Sequence, residues 1–178
     1  EIKREGLDIM IALDVSNSMK AVDIKPNRLA KAKRSIQQLV EQLKGDRIGM
    51  IVFAGKAYMQ LPITTDYAAA RLFLNLVETD MVPVQGTNIA SAIDKAVDAF
   101  NYKEGGSKVL IIISDGENHE PAALDAAEAA RKKGITIYTV GMGTPNGAPI
   151  PVFKNGRQVG FRQDAQGNTI VTSLNEEM

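Results

Sequence analysis

The sequence contains no cysteine, no tryptophan and a single histidine, His119. Without cysteine there can be no disulfide, no zinc–thiolate centre, no iron–sulfur cluster and no thiol nucleophile. A lone histidine excludes any mechanism that needs two, and a Ser-His-Asp triad would have to use His119. No Gly-x-Ser-x-Gly elbow occurs. An excess of one charge is also missing. The 21 Lys and Arg balance the 21 Asp and Glu, so no global field draws nucleic acid or an anionic membrane, and no nucleic-acid partner is expected. No apolar run approaches the roughly 18 residues of a membrane span, and no signal peptide leads the chain. The chain opens on Glu1-Ile2-Lys3-Arg4 and closes on Asn175-Glu176-Glu177-Met178, which reads as a domain excised from a longer protein.

What is present is one ordinary globular domain: 178 residues, 44% hydrophobic and 24% charged, enough for one sizeable core. Four nearly continuous apolar runs, at 9–13, 48–53, 109–113 and 135–140, have the pattern of strands covered on both faces. Helical periodicity separates them, over 27–43, 67–77, 88–100 and 121–133. The alternation predicts an α/β fold, a doubly wound and mostly parallel central sheet flanked by helices. Residues 57–63 predict a short antiparallel edge strand stopped by Pro62. After a core spanning about 7–143, an Asn155-Gly156 turn predicts a small β-hairpin extension over about 146–172. Ser173, with Glu176 three residues on, reads as the start of a final helix that is cut short. The basic cluster Lys25, Arg28, Lys31, Lys33 and Arg34 reads as a solvated helix face.

Ligands of an open α/β sheet bind at the carboxyl ends of its strands. The first strand is followed by Asp14-Val15-Ser16-Asn17-Ser18 and the third long run by Ser114-Asp115-Gly116-Glu117-Asn118. Gln85-Gly86-Thr87-Asn88 precedes the third helix. Asp14, Ser16 and Ser18 alternate, so their side chains can face one ion. Thr87 adds a hydroxyl and Asp115 a second carboxylate. Oxygen donors alone suit a hard divalent cation, Mg²⁺, Mn²⁺ or Ca²⁺. Two carboxylates and three hydroxyls leave room for an external oxygen. Asn17, Met19, Gln85, Glu117, Asn118 and His119 border this set as a partner-binding rim, although Met19, like Met59, also fits a packing role.

The Asp14-x-Ser16-x-Ser18 motif, Thr87 in its Gly-Thr-Asn turn and Asp115-Gly116 together resemble the metal-ion-dependent adhesion site of von Willebrand factor A domains. The resemblance covers about residues 7–143. It implies a Rossmann-like fold and a divalent ion, most often Mg²⁺. Ser16, Ser18 and Thr87 would be hydroxyl ligands, with Asp14 and Asp115 binding directly or through water. A protein partner would complete the ion's shell with a Glu or Asp. A narrower resemblance rests on Lys25-Pro26-Asn27-Arg28-Leu29, Asp46-Arg47-Ile48-Gly49, Leu61-Pro62-Ile63-Thr64-Thr65-Asp66-Tyr67 and Asp115-Gly116-Glu117-Asn118-His119-Glu120. These segments are similar to the bacterial Bat (aerotolerance) membrane proteins. That likeness implies a membrane-anchored protein of the bacterial inner membrane whose domain faces the periplasm, working with other Bat proteins and a MoxR-type ATPase.

The reading that follows is a non-catalytic, metal-dependent protein-binding module. Two alternatives stand beside it. A haloacid-dehalogenase-like phosphatase would also place an Asp after its first strand, but needs an acid two residues on, where this chain has Ser16, a poor general acid. A scaffold with a purely structural metal would lack any partner carboxylate at the ion.

Overall fold

The structure is a computed structural model that describes residues 6–117 and 121–175. The elements run β1 (Asp8–Asp14), a 3₁₀ turn (Asn17–Lys20), α1 (Arg28–Gln42), β2 (Arg47–Phe53), β3 (Ala57–Thr64), α2 (Tyr67–Asn75), α3 (Ile89–Ala99), β4 (Lys108–Ser114), α4 (Pro121–Lys132) and β5 (Ile135–Gly141). A small unit follows, made of β6 (Ala148–Pro149), β7 (Pro151–Lys154), β8 (Arg157–Phe161) and β9 (Val171–Thr172). The five main strands are ordered β3-β2-β1-β4-β5, and all pairings are parallel except β2 with β3.

Side-chain alternation on the central strands sorts the core into two layers. Ile9, Ile11 and Leu13 of β1 belong to one cluster with Leu29, Ile36 and Val40 of α1 and Leu74 of α2. Met10 and Ala12 belong to the other, with Ile93 and Val97 of α3 and Ala130 of α4. β1 is therefore buried along its whole length, which is why its sequence does not alternate. Each fully buried aliphatic side chain contributes about 1.5–3 kcal/mol.

The helices begin where their caps dictate. The Asn27 side chain accepts the Ala30 amide at 2.7 Å, Asp66 accepts that of Ala69 at 2.9 Å, and Asn88 that of Ser91 at 2.8 Å. The expected stop at Pro62 does not occur, and β3 continues to Thr64. Ile48 faces Thr64 while Met50 faces Leu61, so β3 carries an extra residue there. This bulge on an edge strand accommodates a proline that cannot donate to the ladder. The chain past Ser173 expected as a helix shows no helix over residues 173–175, and residues 176–178 lie outside the described residues.

The parallel strands bring the carboxyl ends of β1, β2 and β4 to one edge. The loop 82–88 is pinned there by backbone bonds from Gly55 to Val84 (2.9 Å) and from Asn88 to Ala54 (2.7 Å). A Cβ at Gly55 would lie 2.4 Å from the Gln85 carbonyl oxygen, so only glycine lets the loop approach. This contact sets the position of Thr87.

Candidate metal centre

Asp14 ends β1 and is wholly buried. One carboxylate oxygen accepts the Ser16 amide at 2.8 Å. The other accepts the Ser114 hydroxyl at 2.6 Å. The Ser16 and Ser18 hydroxyls lie 2.9 Å apart. Among the described residues, every group that hydrogen-bonds to Asp14 is neutral. Burial, then the charge of nearby Asp115, pushes the Asp14 carboxyl up from 3.8 to about 7, although bonds from Ser114 and Ser16 pull the other way. A buried carboxylate with neutral donors only, beside two paired hydroxyls, has the electrostatics of a position for a cation. The donor chemistry fits a hard divalent ion. Among the described residues no cluster of three or more Asp, Glu, His or Cys is placed to chelate a metal, so hydroxyls would supply much of any such site.

Asp115 follows β4 and is equally buried, but its partner is ionic. Its Oδ2 accepts from Arg28 Nη1 at 2.8 Å. Arg28 is fully buried, contrary to the solvated-face expectation. It makes five hydrogen bonds: two to Asp23 (2.9 and 2.8 Å), one to Asp115, and two to Thr172, at its hydroxyl and its carbonyl oxygen (both 2.9 Å). Asp23 also accepts the Thr144 amide at 2.8 Å. Burial alone would raise the Asp23 carboxyl, yet bonds from Arg28 and Thr144 and the guanidinium charge hold it below its ordinary value. The signal for Arg28 was present: it lies one helical turn before Ala32 and two before Ile36, on the buried stripe of α1. Ser114, which joins Asp14 to the Gly116 amide (3.0 Å), is a second residue that motif spacing passed over.

Ser16, Ser18 and Thr87 line one cleft of about 250 Å³, together with the rim residues Asn17, Gln85 and Glu117. The Asn17 amide donates to the Gln85 side chain at 3.3 Å. Glu117 is raised by burial first, against bonds from Thr172 and Ser173. Met19 does not belong to the rim. The 3₁₀ turn directs it inward, and it is fully buried in the cluster that holds Val15 and Leu29. Asn118 and His119 lie outside the described residues. The far wall of the cleft comes from the small β unit, through Ile150, Arg162 and Ile170.

Three kinds of similarity accompany this geometry. The sequence model of the von Willebrand factor type A domain matches residues 9–117. A UPF0353 protein of Mycolicibacterium paratuberculosis is 32% identical over 162 residues, which are 81% of this chain and 48% of that protein. The chain thus spans about half the length of the curated relatives it matches. Among solved structures, BatB from Bacteroides thetaiotaomicron is 50% identical with a TM-score of 0.91, over 97% of this chain and 82% of that one. An aerotolerance-related membrane protein from Bacteroides fragilis is 48% identical, also with a TM-score of 0.91, over 97% and 84%. At 22% identity and a TM-score of 0.64, over 79% of this chain and 39% of that one, proximal thread matrix protein 1 from the mussel byssus shares the fold; it is described with a zinc-occupied metal-ion-dependent adhesion site. No helix among the described residues is long and apolar enough to cross a membrane. The chain belongs to the von Willebrand factor type A domain family, and within it is similar to the BatB-type aerotolerance-related proteins.

Proposed function

We propose that this domain is a non-catalytic, metal-dependent protein-binding module that takes an acidic side chain of another protein. Asp14, Ser16, Ser18, Thr87 and Asp115 would hold the divalent ion, Mg²⁺ in our reading. The ion supplies a Lewis-acidic position open to one carboxylate oxygen of the partner. The chain's own residues do the rest. Ser114 and the Ser16 amide fix the Asp14 carboxylate, Arg28 fixes that of Asp115, and the pinned 82–88 loop sets Thr87. Asn17 and Gln85 border the approach to the cleft. By likeness to the Bat-type proteins, the whole protein would be anchored in the bacterial inner membrane with this domain in the periplasm. Other Bat proteins and a MoxR-type ATPase system would be its associates.

The observation that carries this reading is the fully buried Asp14, bonded among the described residues by neutral donors alone, beside a cleft lined by the hydroxyls of Ser16, Ser18 and Thr87. Thermal melts with EDTA, Mg²⁺, Mn²⁺ or Ca²⁺, on the native sequence and on Asp14→Ala, test it. An ion at about 100 times its dissociation constant stabilises by about 2.7 kcal/mol, or roughly 5–10 °C for a domain of this size. The shift is expected in the native sequence and absent in Asp14→Ala. No shift with any ion, together with no heat of binding by calorimetry, overturns the reading.

A further inference from the structure

The cleft has two chemically different walls, and the second one is cationic. We infer that Arg162 is a specificity-determining residue of the partner site: it takes a second carboxylate, so that the cleft selects an extended acidic segment bearing two carboxylates rather than one. This rests on the proposed reading of the hydroxyl-lined wall as the seat of the first carboxylate.

The β unit holds Arg162 from both sides along its backbone. Its amide donates to the Ile150 carbonyl at 2.8 Å, and its carbonyl accepts the Ile170 amide at 2.8 Å. Ile150, Arg162 and Ile170 line the same cleft as Ser16, Ser18 and Thr87. The backbone of the residue is thus fixed while its side chain remains exposed.

Its charge is also uncommitted. Arg28 is neutralised by Asp23 and Asp115, and Arg47 by Asp8 and Glu104. Among the described residues no carboxylate forms an ion pair with Arg162, and its side chain makes no hydrogen bond. Glu117, the one carboxylate among the described residues lining the cleft, forms no ion pair with Arg162. A planar guanidinium with free donors pairs bidentately with a carboxylate. Beside Arg162 on the same wall lie Ile150, which is buried, and Ile170, which is half-buried. They offer an apolar surface to the stretch of segment joining the two acids.

The test uses blocked peptides Ac-Asp-(Gly)n-Asp-NH₂ with one, two or three glycines, and the versions in which either Asp is replaced by Asn. Each is titrated into isotopically labelled protein in excess Mg²⁺ and in EDTA, with amide NMR shifts as readout. At the favoured spacing the diacid is expected to bind about 5- to 10-fold more tightly than either single-acid peptide. Arg162→Gln should remove that advantage, bringing the diacid down to the level of the single-acid peptides, while the variant keeps its Mg²⁺-induced rise in melting temperature. The inference is overturned if no spacing gives an advantage, or if the advantage survives Arg162→Gln. Metal-dependent binding of the single-acid peptides in either case leaves the proposed function standing. If no peptide binds in Mg²⁺ although the ion itself does, the partner reading fails together with the inference.

Discussion

The two buried carboxylates of the site sit on neighbouring strands of one sheet edge, yet they are held by opposite chemistry. Asp14 accepts from a hydroxyl and an amide, and among the described residues no basic side chain bonds to it. Asp115 is locked to a buried guanidinium shared with Asp23 and Thr172. Among the described side chains, one carboxylate has no built-in counter-charge and the other has one. The division separates tasks: the Asp14 side is where a cation gains most, and the Asp115 side, besides its proposed part in holding the ion, ties the loop after β1, the start of α1 and the tail of the chain together. Ionisable groups of the same type at one edge therefore carry different meanings, set by whether a counter-charge is built in.

The comparison breaks most visibly at Arg28. Arg28→Met leaves Asp23 and Asp115 buried without a cation and is expected to lower stability by about 3–5 kcal/mol, read as a shift in the midpoint of denaturant unfolding. The same operation on the other side has the opposite sign. Asp14→Asn removes a charge that has no counter-charge, so in EDTA at pH 8 its unfolding midpoint should equal or exceed that of the native sequence, while the ion-induced gain disappears. A native-level ion-induced gain in Asp14→Asn would refute the assignment.

Acidity sharpens the contrast. The folded Asp14 value, about 7, lies above its ordinary 3.8, so between these values the folded state binds more protons than the unfolded one. Metal-free stability from this group is complete below pH 3.8, falls as pH rises towards 7 and levels off beyond it. Asp23 runs the other way: its value is lowered, so its contribution is present above 3.8 and is lost as pH falls through the folded value. Because the ion competes with a proton for Asp14, its affinity should climb with pH up to about 7 and then flatten. Calorimetric titrations across pH 5.5–8.5 check this, and a flat profile contradicts it.

Smaller effects follow at the outskirts. Thr172→Val deletes one neutral acceptor of Arg28 and should cost about 1 kcal/mol in a denaturant melt. Phe153→Ser on β7 changes an exposed side chain and should stay within about 0.5 kcal/mol.

The sequence made the first half of this comparison readable and hid the second. The Asp14-x-Ser16-x-Ser18 spacing, the strand-end positions and the caps at Asn27 and Asn88 are local signals, and local chemistry is what pattern carries. The Arg28 cluster is assembled from positions 23, 28, 115 and 172, whose proximity depends on tertiary packing. A charged residue at a helix start looks solvated until the facing loops are known. Arg162 escaped notice for the same reason, since nothing in the hairpin pattern says which cleft it borders. Met19 failed as a rim residue because a 3₁₀ turn reverses direction within a few residues.

The Arg28 cluster also bears on how such a chain can diverge. Gly143 lies against the guanidinium, where a Cβ would come within 3.1 Å of three of its atoms. Positions 23, 28, 115, 143 and 172 thus behave as one inherited unit. A first substitution at 28 strands two buried acids, and a first substitution at 143 crowds the arginine and takes on the strain of a φ of +147°, so single steps out are costly in either direction. Descendants are expected to keep the set whole or to exchange it whole, while the exposed strands β7 and β8 drift freely beside it.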